Sequence, residues 1–177
     1  TVIWPDLPPT SVVQDIRLKE PLRVFSVDGK LMGEFGDERR ITVRIDDTPQ
    51  NLINAVLAAE DDRFFSHHGV DPLGVLRALI TNLKSGQTRQ GASTITMQVS
   101  RNYFLSREKT YTRKIKEALL AFKLERELSK NEILELYLNK IFLGHRSFGF
   151  QAAAAFYYNK PLAELTLAQL AMLAGLP

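Results

Sequence analysis

Glu60 and Glu117 stand where the hydrophobic spacing of their segments asks for apolar residues. A carboxylate on a core-facing stripe is destabilising unless it is paired or used, so two such positions point to a cleft with acid/base chemistry. Glu60 opens the run Glu60-Asp61-Asp62-Arg63-Phe64-Phe65-Ser66-His67-His68-Gly69-Val70-Asp71. Acids crowded at a helix C-terminus repel one another and the helix dipole, which favours a raised pKa for the most buried of them. By position that acid is Glu60, and a general base needs such tuning. The competing reading is an acidic helix end neutralised by Arg63 and solvent. His67 fits a hydrogen-bonded turn residue better than a metal ligand, because no ligand spacing accompanies it; His68 and His145 carry no signal.

Two further groups carry chemistry. In Gly91-Ala92-Ser93-Thr94-Ile95-Thr96-Met97-Gln98-Val99-Ser100-Arg101-Asn102, Thr94, Gln98 and Arg101 recur as one helical face whose start emerges from small residues. Free amides, hydroxyls and a cation one turn further on suit phosphate oxygens, although an ordinary polar face has the same pattern. Arg113, Lys114 and Glu117 form the third group. Their simplest account is an i,i+4 salt bridge between Arg113 and Glu117. A pyrophosphate bound by Arg101, Arg113 and Lys114 would also explain why the pair lies on an apolar face.

The elements that must position these residues are mostly helices. Leu22–Val27 and Lys30–Phe35 flank Asp28-Gly29, a two-residue hairpin signal. Thr48 reads as an N-cap with Pro49 at the first helical position of a helix through about Asp61, on which Ile53, Leu57 and Glu60 share a face. Leu73, Leu76, Ile80 and Leu83 predict an amphipathic helix from Pro72 to about Ser85 with a mobile polar tail through Gln90; core packing and membrane-surface contact both fit it. A helix from near Ser93 to about Leu105 follows, then the longest, Thr110 to Leu128. That one is apolar on two faces, Ile115/Leu119/Phe122 and Leu120/Leu124/Leu128, the second extended by Arg113 and Glu117. Ser129 with Glu132 and Thr166 with Gln169 are capping boxes for two more helices, and an Ala-rich helix over Gln151–Tyr158 lies between them.

Composition bounds the reading. With 177 residues, 45% of them hydrophobic, the chain has enough apolar material for one core; the expected division is a linker and hairpin segment over 1–48 and a helical domain over 49–177. Lys+Arg 23 against Asp+Glu 20 gives a net charge of only +3, so no global field points to nucleic acid. The absence of cysteine removes disulfide and zinc-thiolate readings. No apolar run reaches the ~18 residues that span a bilayer, and the start at Thr1 and the stop at Pro177 suggest a piece of something longer, with any anchor outside it.

Five segments in order, EDDRFFSHHGVD, GASTITMQVSRN, RKIKEALLAFKLER, KNEILELYLNKIFLG and GFQAAAAFYYNK, resemble the five ordered motifs of the glycosyltransferase family 51 domain. This is the peptidoglycan glycosyltransferase of class A penicillin-binding proteins and monofunctional relatives. The resemblance covers residue 50 to the end, and the preceding hairpin segment looks more like the class A proteins.

The resemblance implies a mainly α, lysozyme-like helical domain that polymerises lipid II into β-1,4 glycan strands by inverting displacement. By motif match it makes Glu60 the catalytic base, gives Arg101, Arg113 and Lys114 the pyrophosphate, and puts Ser93, Thr94, Gln98 and Asn102 along the same donor-side region. Glu117 matches the family's second catalytic glutamate, which supports the donor site, and Asp61 the acid beside the base. No tightly bound cofactor is implied; a divalent cation, Mg2+ or Mn2+, assists some members, and Glu60 is its candidate ligand. The implied partners are lipid II and the growing lipid-linked strand, the membrane surface through residues 72–90, and cell-wall synthesis proteins, with no nucleic acid. The implied location is the outer, periplasmic face of the bacterial cytoplasmic membrane. Two departures stand out: Met97 replaces a common glutamine, and Arg101 a common lysine. The rival readings are a lytic glycan-cleaving enzyme with Glu60 as general acid, and a catalytically silent module that binds precursor.

Overall fold

The computed structural model describes residues 22–35, 39–85, 91–105 and 110–177. Past the first strands, the apolar spacing changes from period two to the helical period, and the backbone follows it. The elements are β1 (Leu22–Phe25), β2 (Leu31–Phe35), β3 (Arg39–Arg40), α1 (Gln50–Glu60), α2 (Pro72–Ser85), α3 (Ile95–Phe104), α4 (Tyr111–Glu127), α5 (Lys130–Lys140), β4 (Ser147–Phe148), α6 (Phe150–Tyr158) and α7 (Leu167–Ala174). The domain is therefore mainly α with a small N-terminal hairpin, as expected. The polar tail expected over 86–90 and the linker residues 1–21 lie outside the described residues.

The hairpin forms, but not with the two-residue connection that Asp28-Gly29 suggested. β1 and β2 pair antiparallel. The Gly29 amide donates to the Ser26 carbonyl at 2.9 Å, the Ser26 amide donates to the Lys30 carbonyl at 2.8 Å, and Gly29 has φ 78. This closes a three-residue loop whose last position is left-handed, a conformation that costs glycine nothing. Thr48 also departs from expectation. Its hydroxyl donates to the Arg44 carbonyl at 2.9 Å, so it closes a 3-10 turn over Ile45–Asp47 just before α1.

Other local signals are met by the bonds they predict. Ser129 and Glu132 form their box, with the Ser129 amide donating to Glu132 Oε2 at 2.7 Å and the Glu132 amide to Ser129 Oγ at 3.3 Å. The Ser129 hydroxyl also donates to Glu132 Oε2 at 2.7 Å, and this bond, followed by that from the Ser129 amide, holds the Glu132 carboxyl below the usual range. Thr166 and Gln169 form the second box, and Gly175 ends α7.

The described residues fall into two compact units, one over 57–137 and one made of 22–56 with 138–177; the boundaries lie inside α1 and α5. In the first, Leu120, Ala121 and Leu124 of α4, Ile95 and Val99 of α3, Ile133, Leu134 and Tyr137 of α5 and Phe64 are all buried. α3 packs along α4. Only one of the two apolar faces of α4 is covered: Ile115 and Phe122 stay exposed while Leu120 and Leu124 do not. α2 is more open still. Among its apolar side chains only Ala78 is buried, and Leu73, Val75, Leu76, Leu79, Ile80 and Leu83 all face out. In the second unit, β3 pairs parallel with β4, Asn139 bonds both the amide and the carbonyl of Val43 at 2.8 Å, and α6 packs on α7.

Candidate active site

The base candidate sits at a helix end that opens into a cleft. α1 ends at Glu60, and the cleft of about 560 Å3 beside it is walled by Ala58, Glu60, Asp62, Arg77, Ser93, Gln98 and Arg101, among others. That volume suits a small-molecule or sugar-sized ligand. Gln98, one turn into α3, donates its amide to Glu60 Oε2 at 2.7 Å. The contact fixes one oxygen of the carboxylate.

Glu60 is half-buried, and here the expectation needs correcting: it is not the most buried acid of its run. Asp61 and Asp71 are, at 7% and 5% exposure, and each carries its own compensation. His67 Nε2 lies 3.0 Å from Asp61 Oδ1, and the Ile95 amide donates to Asp61 Oδ2 at 3.1 Å. Asp61 thus anchors the first turn of α3 to the end of α1, and His67 is the hydrogen-bonded turn residue expected. Asp71 is paired with Arg63. Burial pushes its carboxyl upward, but the Arg63 hydrogen bond, a backbone bond at Gly74 and the Arg63 charge together hold it below the usual carboxylate range. Arg63 therefore neutralises Asp71 and leaves Glu60 to the cleft.

Thr94 caps α3, accepting from the Met97 amide at 3.1 Å, while its own hydroxyl donates to the Gly69 carbonyl at 2.5 Å. Gly69 is required there: with φ 89, a Cβ would come within 2.9 Å of the Ala121 backbone. The acid-rich turn, the start of α3 and the middle of α4 are locked together at this point.

The third group gathers as expected. Glu117, 1% exposed, accepts from Arg113 through Oε1 and from Lys114 through Oε2, the latter at 2.9 Å. Lys114 also donates to Ser93 Oγ at 2.6 Å. Because Ser93 lines the cleft, this bond ties the α4 cations to its edge. The salt bridge of the simpler reading exists, and two cations share one buried anion, which leaves an excess positive charge beside the cleft. Asn102 is half-buried next to Arg101 on α3 and makes none of these bonds. Met97 is buried in the α3 core face, at 5% exposure.

A cation site does not emerge. Among the described residues no three His, Asp or Glu side chains converge on one point, and Asp61 and Asp71 are already bonded. The residues around Glu60 therefore do not fit a protein-held divalent ion.

Sequence reasoning missed one buried network. Thr96 Oγ1 donates to Glu125 Oε1 at 2.6 Å, Lys130 Nζ donates to the same oxygen at 2.7 Å, and Lys130 lies 4.3 Å over the Phe64 ring. It joins α3, α4, α5 and the turn after α1 on the core side. Glu125 and Lys130 are five apart across a helix break, which is not a helical spacing, so periodicity could not pair them.

The site thus sets an acid at the mouth of a cleft, with cations tied to one edge. The Transglycosylase family profile matches residues 28–177, and the chain belongs to that family. It is 53% identical over 173 residues to penicillin-binding protein 1A of Pseudomonas aeruginosa, covering 98% of this chain and 21% of that protein. It is 55% identical over 174 residues to the Neisseria lactamica protein of the same name (98% and 22%), and 51% identical over 175 residues to that of Escherichia coli K12 (99% and 21%). The chain thus spans about a fifth of the length of these relatives. A crystal structure of penicillin-binding protein 1A from Haemophilus influenzae aligns over 92% of this chain and 14% of that one, at 33% identity and a TM-score of 0.43.

Proposed function

We propose that the chain is the glycan-polymerising part of a peptidoglycan glycosyltransferase, working on lipid II at the outer face of the cytoplasmic membrane. The observation that carries the reading is the division of the cleft: a carboxylate held by Gln98 through one oxygen, with Arg101 in the same walls and Arg113 and Lys114 tied to its edge through Ser93.

In this reading Glu60 takes the proton from the 4-hydroxyl of the acceptor sugar. The freed electron pair forms the bond to C1 of the donor, and the bond from C1 to the pyrophosphate oxygen breaks with inversion. Negative charge develops on the departing pyrophosphate, where fixed cations lower the barrier most. Arg101 supplies one. Arg113 and Lys114 supply more, because an arriving pyrophosphate can share them with Glu117. The two glutamates have different tasks: Glu60 moves a proton, while Glu117 keeps two cations folded and aimed.

The exposed apolar face of α2 supports contact with the membrane that holds the substrate. Leu73 is 61% and Leu83 73% exposed, and Lys84 closes the helix, a composition suited to the interfacial layer of an anionic bilayer. Among the described residues no helix is long and apolar enough to cross a membrane.

Incubation of the full-length protein with lipid II in detergent tests the reading. Long glycan polymer is the expected product. Release of small muropeptides from purified cell wall, with no polymer from lipid II, would overturn it in favour of a lytic enzyme.

A further inference from the structure

Glu125 and Lys130 form an ion pair whose place in the core stability alone does not explain. Their side chains are 5% and 19% exposed, and Lys130 Nζ donates to Glu125 Oε1 at 2.7 Å. Taking two charges out of water is costly, and a well-packed apolar pair of similar volume is commonly as stable or more so. The place of the lysine adds to the cost. It is the first residue of α5, where the helix dipole disfavours a cation.

What the pair reaches indicates its use. The same Glu125 oxygen accepts from Thr96 Oγ1 at 2.6 Å, and Lys130 Nζ lies 4.3 Å from the centroid of the fully buried Phe64 ring, a cation–π contact. Thr96 is the second residue of α3 and is itself fully buried. Gln98 stands two positions further on, slightly more than half a turn round the helix, so the two side chains leave α3 on nearly opposite sides. α3 is thus gripped from the core at Thr96, while Gln98 on its other side donates to Glu60 Oε2 at 2.7 Å. Phe64 belongs to the turn that follows Glu60, and its amide donates to the Asp61 carbonyl at 3.1 Å. One ion pair therefore holds both the helix that carries Gln98 and the turn that continues from the carboxylate it bonds. The Ile95 bond to Asp61 joins the same elements nearer the cleft.

We propose that Glu125 and Lys130 are positioning residues for the reaction: acting through Thr96 and Phe64, they set the separation of α3 from the end of α1 at which Gln98 meets Glu60. An apolar pair would fill the space without fixing that separation, because charge-assisted bonds are directional and apolar packing is not. The inference rests on Glu60 being the base. A misplacement of about 1 Å by a residue remote from the chemistry can cost roughly 100-fold in rate.

The test is the double variant Glu125→Gln/Lys130→Met of the full-length protein, read by thermal melting and by lipid II polymerisation well below the melting temperature. Both replacements keep an unbranched side chain and remove its charge, so no charge is left buried alone. The expected result is a melting temperature near that of the parent, because the pair is removed whole. KM should stay within about twofold and kcat should fall by roughly ten- to a hundredfold. A cycle with Gln98→Ala separates positioning from general loosening. Because the pair acts through the contact of Gln98 with Glu60, the triple variant should lose no more than about twofold beyond Gln98→Ala alone. Losses that multiply in full overturn the inference, as does parental kcat in the double variant, whatever its melting temperature. If the double variant does not fold, Thr96→Val carries the same test, since it keeps the shape of the side chain and removes the bond to Glu125. Its kcat should fall without multiplying with Gln98→Ala, and parental kcat overturns the inference. A parent protein that makes no polymer refutes the proposed function first; an active parent and an equally active double variant remove only the role given to Glu125 and Lys130.

Discussion

In the proposed reaction Glu60 is the residue on which the chemistry turns, and its setting predicts how it fails. Glu60→Gln keeps the size of the side chain and a carbonyl oxygen that can still accept from Gln98, but it cannot take a proton. General-base catalysis contributes roughly 10²–10⁴-fold, so polymerisation should fall by about that factor while melting temperature and precursor binding stay near the parent values. A catalytically silent precursor-binding module would instead show no change in any of the three. Asp71 makes a prediction of another kind, about stability. Its folded carboxyl is held below the ordinary value of ~3.9, so its contribution is complete above that pH and is lost as pH falls through the folded value. Asp71→Asn should therefore be less stable than the parent at pH 7, with the gap closing as both are melted towards pH 3. A gap that persists undiminished at pH 3 would mean that the Arg63–Asp71 pair is not its source.

At the scale of elements, the amphipathic pattern of α2 favoured core packing over membrane-surface contact without deciding between them, because period alone does not say what covers a face. The structure leaves that face uncovered. Replacing Leu79 and Leu83 by Asp removes apolar area without touching a buried residue. It should cut sedimentation with anionic liposomes at least tenfold and leave the melting temperature within a degree or two; equal sedimentation would assign the face to another partner. The same contrast marks what was legible in the sequence. Helices set by period and by side-chain caps were readable: Ser129 with Glu132 and Thr166 with Gln169 bond as their spacing demands. The hairpin loop and Thr48 were misread because more than one turn satisfies the same few residues, and the bonds from Ser26 to the Lys30 carbonyl and from Thr48 to the Arg44 carbonyl decide between them. Within the site, the i,i+4 meeting of Arg113 and Glu117 was local and visible. Gln98 on Glu60, Ile95 on Asp61 and Thr96 on Glu125 join residues 29 to 38 positions apart, and no spacing rule reaches that far.

Across the whole molecule, burial is uneven in a way that should order its local openings. α5 carries Ile133, Leu134, Tyr137 and Leu138, all at or below 1% exposure, and its first turn is tied by Lys130 to Glu125. The β1–β2 hairpin is a sheet of only two strands, with Val24, Phe25 and Met32 exposed. An isolated two-stranded ribbon is marginal in water, while a helix buried along its length opens only with the core around it. Native-state hydrogen exchange should therefore find the central amides of α5 exchanging last, at a rate set by global unfolding. The amides of β1 and β2 should exchange at least a hundredfold faster and be insensitive to low denaturant, because their opening exposes little new surface. The site lies between these extremes. α3 is held through its first turn by Asp61 and through Thr96 by Glu125, so its amides should follow α5 rather than the hairpin. Removing the buried carboxylate with Glu125→Ala should then raise exchange in α3 and α4 together while leaving the hairpin unchanged. Acceleration confined to α4 would show that the Thr96 bond does not couple the two helices, and that the cleft wall carrying Gln98 and Arg101 is held from the Asp61 side alone.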